Sequence, residues 1–174
     1  MAKISAMLVR QSRYRQDFEL VHSSTFAKDS YSCLIAIEVL RLLEADDGAA
    51  YRLAAERGDR LAAALASVRA DFPEVVKDVR GRGLMLGLEF HDQSDAAAPT
   101  VRDHARAGLL GYALAGYLLR EHRVRIFPTA SATNTLRIEP SIYLTDAEID
   151  HLTTALRALC TVLRDQDETT SAIP

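Results

Sequence analysis

Lys3, Lys28 and Lys77 are the only lysines in a chain that carries eighteen arginines, so any chemistry that needs a nucleophilic primary amine has three side-chain candidates. None of the other reactive residue types clusters. Cys33 and Cys160 lie far apart in sequence with no CxxC, and His22, His91, His104, His122 and His151 are scattered with no pair at ligand spacing. Four convergent ligands are needed for structural zinc, so the expectation is two reduced, mostly buried thiols and no metal site. Arg80-Gly81-Arg82-Gly83 sits where a phosphate-cradling loop could be sought. It fails the dinucleotide fingerprint twice: the third glycine falls at Gly87 rather than at position 86, and a strand pattern follows where a helix should open. Those glycines more simply permit a sharp turn between two strands. His22-Ser23-Ser24-Thr25 is a polar stretch whose hydroxyls can shape a turn. Arg137 stands between Leu136 and Ile138, so on a strand it points away from the face they share.

These residues must be positioned by one ordinary globular domain plus the fringe of another, because the chain has 174 residues. Apolar residues make up 48% and charged residues 26%, which gives no support to a disordered, collagenous or disulfide-framework chain. With 21 basic against 24 acidic residues the net charge is -3, too small for a field that gathers polyanions. Arg10, Arg13 and Arg15, and likewise Arg120, Arg123 and Arg125, read as solvated faces rather than nucleic-acid contacts. No run approaches the ~18 apolar residues of a membrane span, and the first residues lack signal-peptide character, so the expectation is a cytoplasmic protein without membrane contact.

The hydrophobic periods place the elements. Residues 1 to 28 mix short apolar runs with polar interruptions and read as strand or irregular structure. Asp29 or Ser30 can cap a helix over Tyr31 to Leu43, which has almost no polar face, and Gly48 separates it from a second helix, Ala49 to Ala70. The stripe of that second helix is Tyr51, Ala55, Leu61, Leu65 and Val68. Val75 to Val79 is a short strand, and from Leu84 the alternation puts Leu84, Leu86, Leu88 and Phe90 on one face. Val101 to Glu121 reads as one long helix. Val124 to Phe127 and Thr135 to Ile138 are strands around a loop holding Pro128 and Asn134. In the last helix Thr145 and Glu148 make a capping box, and Ile149, Leu152, Leu156, Leu159, Cys160 and Leu163 form the buried stripe. This order does not suit a doubly wound sheet, which needs regular βαβ crossovers. It predicts an α+β fold, a small, mostly antiparallel sheet covered by helices.

Three blocks in order resemble one family. The run His22-Ser-Ser-Thr25-Phe26-Ala-Lys-Asp-Ser-Tyr-Ser-Cys33, followed by the apolar helix ending Leu42-Leu43-Glu44, is similar to the H-x-x-T-F stretch of class III pyridoxal-phosphate aminotransferases. Val79-Arg-Gly-Arg-Gly-Leu-Met-Leu-Gly-Leu-Glu89 resembles the family's entry into its C-terminal small domain. Leu136-Arg137-Ile138-Glu-Pro140-Ser-Ile142 with Thr145-Asp-Ala-Glu-Ile149 is similar to its arginine strand and final helix. The chain departs from the pattern at Ala27, Lys28, Asp29 and Ser30, where the family has glycines and Asn-Pro, and at Pro140, where a double proline is usual.

The resemblance implies a fold resembling the C-terminal small domain of a fold type I pyridoxal-phosphate-dependent transferase plus the end of its large domain. It implies 1–30 as a remnant of the large cofactor-binding domain, 31–47 as a connecting helix, 48–166 as the small domain and 167–174 as a tail. Thr25, with Ser24 beside it, would contact the phosphate of pyridoxal 5'-phosphate in a neighbouring subunit's site, as a short donor ahead of a helix suits an anion. The other reading of both is a turn. Arg137 would pair with a substrate carboxylate, where a planar guanidinium can bind in a bidentate manner; the other reading is a solvent-facing arginine.

The chemistry itself is missing from these blocks. Lys28 and Lys77 do not match the family's Schiff-base lysine, and Met1-Ala-Lys3-Ile-Ser-Ala6 resembles the segment just after the glycine-rich turn that follows it. The expectation is therefore a truncated aminotransferase with no catalytic residue of its own, inactive alone, acting on an amino-acid or amine substrate as a homodimer or by complementation with an upstream segment. The nearly all-apolar helix from Tyr31 to Leu43 would then pack against the absent domain. Two alternatives are a non-catalytic interaction or dimerisation module that kept the small-domain fold, and an enzyme of another class using Lys3, which has no partner base near it in sequence.

Overall fold

The structure, a computed structural model, describes residues 4–21, 29–166 and Ile173. Ser24, Thr25, Lys3 and Lys28 lie outside the described residues. The chain divides into two units, Met1–Tyr51 and Arg52–Pro174.

In the first unit, a single 3-10 turn (Gln11–Arg13) and a short helix α1 (Phe18–Val21) are joined by irregular backbone, so the described part of the N-terminal region contains helical turns and no strand. Helix α2 (Ser30–Asp71) begins where the polar residues end, and Asp29 caps it by accepting a hydrogen bond from the Ser32 N–H at 2.8 Å. That bond holds the Asp29 carboxyl below its usual range. Helical geometry stops at Ala45, Asp46, Asp47 and Gly48, the last three with φ of 51°, 55° and 73°. Glycine adopts this left-handed backbone freely and aspartate tolerates it, which is why the break falls beside Gly48. Among the described residues of this unit none is buried; Tyr31, Leu34, Ile37, Val39, Leu40 and Leu42 are all exposed.

The second unit carries the core. In the part of α2 within it, Leu61, Leu65 and Val68 are fully buried at the spacing of one helical face, whereas Ala55, expected on that stripe, is exposed. Four strands follow, β1 (Val76–Arg82), β2 (Met85–Phe90), β3 (Phe127–Thr129) and β4 (Ala132–Ile138), in the spatial order β1-β2-β4-β3 with every pair antiparallel. Leu86, Leu88 and Phe90 of β2 and Leu136 and Ile138 of β4 are buried in one cluster with residues of α2, α4 (Leu110–His122) and α5 (Asp146–Asp165). The expected α+β arrangement, a small antiparallel sheet with helices on it, is what forms.

Several boundaries differ from the sequence reading, each for a local reason. β1 runs through Arg82, so the turn falls at Gly83 and Leu84 rather than across the whole Arg-Gly-Arg-Gly run. Gly81 has φ 135° and its missing Cβ would lie 2.1 Å from the Met85 carbonyl oxygen, so no other residue fits there. The long helix expected over Val101 to Glu121 is two helices, α3 (Pro99–Arg106) and α4, because Gly108 turns left-handed (φ 69°) after the Gly108 and Leu109 N–H groups bond back to Ala105 and His104. Pro128 and Asn134 lie within strands rather than in a loop. β3 is an edge strand, where a proline need not donate to the ladder, and Asn134 Nδ2 donates to the Phe90 carbonyl at 2.9 Å.

The capping box of α5 is present as expected, with the Glu148 N–H donating to Thr145 Oγ1 and the Thr145 N–H to Glu148 Oε2. Arg57 and Arg60 of α2 both reach Asp146 at the start of α5, at 3.0 and 2.7 Å, and hold its carboxyl below the usual range, Arg60 most strongly.

Candidate functional site

Side-chain alternation leaves the second face of the sheet without a core to face, and its polar residues collect there. On this face Arg80, Gly87, Arg137 and Phe127 stand in one row across all four strands, as the pairings Arg80↔Gly87, Gly87↔Arg137 and Phe127↔Arg137 show. At Gly87 in the middle of the row the Thr135 methyl group closes in, 3.3 Å from where a Cβ would be. At the β1 end charges cancel one another: Glu89 accepts from Lys77 Nζ at 2.7 Å and from Arg80, and Arg80 also reaches Asp78 at 3.3 Å. Lys77 first and Arg80 second pull the Glu89 carboxyl below its ordinary value.

The β3 end is different. Arg137 is exposed, as its position between buried Leu136 and Ile138 requires, and its Nε lies 3.0 Å from Glu139 Oε2. Together with Arg125, Ile126 and Phe127 these two residues line a cleft of about 230 Å³. The Arg125 guanidinium lies 5.5 Å from the centre of the Phe127 ring, a cation–π distance, and among the described residues no carboxylate pairs with it. Two guanidiniums and one carboxylate thus meet in one cleft, an arrangement that can hold an anion through charge-assisted hydrogen bonds.

Of the residues singled out from the sequence, Arg137 lies at this cleft, while Ser24 and Thr25 lie outside the described residues. Arg125, Phe127 and Glu139 were missed. The i, i+2 spacing of Arg137 and Glu139 puts both on one face and could have revealed the glutamate. Arg125 was hidden within a cluster with Arg120 and Arg123, all three of them exposed. Lys77 has its ammonium engaged by Glu89 at the far end of the sheet, so the described residues offer no amine at the cleft. Among the described residues no group of His, Cys, Asp or Glu could hold a metal ion, and no helix is long and apolar enough to cross a membrane.

The four-stranded antiparallel sheet with its packed helices is a fold shared with fold type I aminotransferases. The lysine aminotransferase of M. tuberculosis shares it at a TM-score of 0.57 and 28% identity over 76% of this chain and 26% of its own. The ornithine δ-aminotransferase of Plasmodium falciparum shares the fold at a TM-score of 0.59 and 20% identity, over 84% of this chain and 32% of its own. In sequence, the aminotransferase PigE of Serratia sp. is 30% identical over 177 aligned residues, 81% of this chain and 20% of that protein. The family model for class-III aminotransferases matches residues 2–160, and the chain belongs to that family. It spans about a fifth of PigE and between a quarter and a third of these solved relatives.

Proposed function

We propose that this chain is the substrate-recognising C-terminal portion of a pyridoxal-phosphate-dependent aminotransferase, and that Arg137 pairs with the carboxylate of an amino-acid substrate. The observation that carries the reading is the placement of Arg137 on the free face of the sheet, at a cleft, with its guanidinium held by a single carboxylate that a substrate could replace. A charge-assisted bond of this kind is worth about 1.5–3 kcal/mol, roughly ten- to a hundredfold in affinity. Ser24 and Thr25 are proposed to contact the cofactor phosphate in a neighbouring subunit's site, which makes the working unit a homodimer or a complex with an upstream segment.

The chain alone is proposed to be inactive. Supporting this, Lys77 is committed to Glu89, neither Lys3 nor Lys28 matches the family's lysine, and the chain corresponds to a minor share of its relatives. The test adds pyridoxal phosphate to the chain and asks whether borohydride fixes the cofactor to a lysine. No adduct should form with the chain alone, whereas adding a separately expressed upstream segment should yield both an adduct on that segment and transamination. A stable adduct on Lys3, Lys28 or Lys77 overturns the reading. In the reconstituted enzyme Arg137→Gln should raise KM for amino acids about tenfold or more, and leave amines without a carboxylate nearly unaffected. No activity under any combination supports instead an interaction module that kept the small-domain fold.

A further inference from the structure

The cleft at Arg137 does not end at Phe127. A second furrow of about 230 Å³ adjoins it, sharing Arg125, Ile126 and Phe127 and extending along α4 over Tyr112, Ala115, Gly116 and Leu119. These α4 residues follow the helical repeat on the face turned away from buried Leu114 and Leu118, and Tyr112, Leu119 and Phe127 are exposed. A Cβ added at position 116 would meet only the Arg120 guanidinium, at an ordinary van der Waals distance of 3.5 Å, so the backbone leaves room for a side chain there. An apolar furrow therefore leads directly from a guanidinium that has no carboxylate partner among the described residues. Arg137 is neutralised by Glu139, so the cleft carries one net positive charge, from Arg125.

We propose that Arg125 is a second carboxylate-binding residue beside Arg137, and that the furrow on α4 takes the apolar body of a substrate with a single carboxylate. The inference rests on the reading of Arg137 as the acid-recognising residue. One net charge suits a monoanion. A dicarboxylate would place its second charge either against Glu139 or in the apolar furrow, both unfavourable. The Phe127 ring beneath Arg125 limits the orientations of its guanidinium, which lowers the entropy lost on binding.

The test is a ligand-observed NMR titration of the full chain with hexanoate, acetate, glutarate and hexylamine. Hexanoate should bind about tenfold more tightly than acetate, glutarate or hexylamine. Arg125→Gln and Arg137→Gln should each weaken hexanoate about tenfold; both positions are exposed, and circular dichroism verifies that the variants fold. Gly116→Leu, which fills the furrow, should weaken hexanoate and leave acetate unchanged. Loss in the Arg137 variant alone overturns the role of Arg125 while leaving the proposed function standing. Loss in the Arg125 variant alone supports the new role and removes the reading of Arg137. Unchanged affinity in both overturns both. A preference for glutarate, or hexanoate binding indifferent to Gly116→Leu, overturns the apolar monocarboxylate.

Discussion

Glu89 shows how a single residue's environment sets a measurable pH dependence. Its folded carboxyl titrates below the ordinary glutamate value of 4.5 because Lys77, and then Arg80, donate to the ionised form. A depressed folded value means the unfolded chain binds the proton first as pH falls. The stabilisation is therefore complete above 4.5 and is lost as pH drops through the lower folded value. Glu89→Gln should flatten the acid side of the stability profile, which denaturant unfolding between about pH 3 and 7 will show; an unchanged slope would mean the pair contributes nothing. Cys160 makes the opposite case. Burial pushes its thiol up to about 12, so it should resist a thiol reagent at neutral pH until the chain unfolds, whereas half-buried Cys33 should react in the native state. The orientation of Arg137 was legible in advance because two apolar neighbours dictate it. Arg125 was not, because its relation to Arg137 arises only from the pairing of β3 with β4.

Elements are punctuated by glycines that look alike in sequence and differ in space. At Gly58 an added Cβ would lie 2.4 Å from the backbone of Gly83, so α2 sits directly on the β1–β2 turn; at Gly111 it would lie 2.2 Å from the Thr133 carbonyl oxygen, where α4 meets β4. Gly58→Ala and Gly111→Ala should each destabilise the fold by about 1–3 kcal/mol or more, as overpacking against rigid backbone does. Gly116→Ala should instead stabilise it by about 0.5–1 kcal/mol, because the added Cβ meets only the Arg120 guanidinium at an ordinary contact distance and alanine loses less entropy in a helix. Thermal denaturation of the three variants checks the signs. The capping box at Thr145 and Glu148 was readable because its bonds join residues three apart. The break at Gly108 was not, since the apolar residues around it continue a helical pattern from α3 into α4 and periodicity alone cannot register a left-handed residue.

At the scale of the whole molecule, the core draws on 52–174, and the described residues of the first unit contribute nothing buried. Deleting residues 1–51 should therefore leave thermal unfolding cooperative with a nearly unchanged midpoint. The full chain, with Tyr31, Leu34, Leu40 and Leu42 exposed at 52–73%, should self-associate in a concentration-dependent way that the deletion abolishes. Analytical ultracentrifugation of both chains decides this, and a full chain that stays monomeric would contradict it. From residue types and their order alone came the fold class, the family, the capped final helix and the outward face of Arg137. All of these follow from local periodicity, capping chemistry and short motifs. The tertiary structure alone decided that Lys77 is engaged by Glu89, that α4 meets the Thr133 carbonyl of β4 at Gly111, and that Arg125 and Phe127 share a cleft with Arg137. Such facts depend on which strands pair and in what register, and pairing joins residues whose separation along the chain carries no signal of their distance in space.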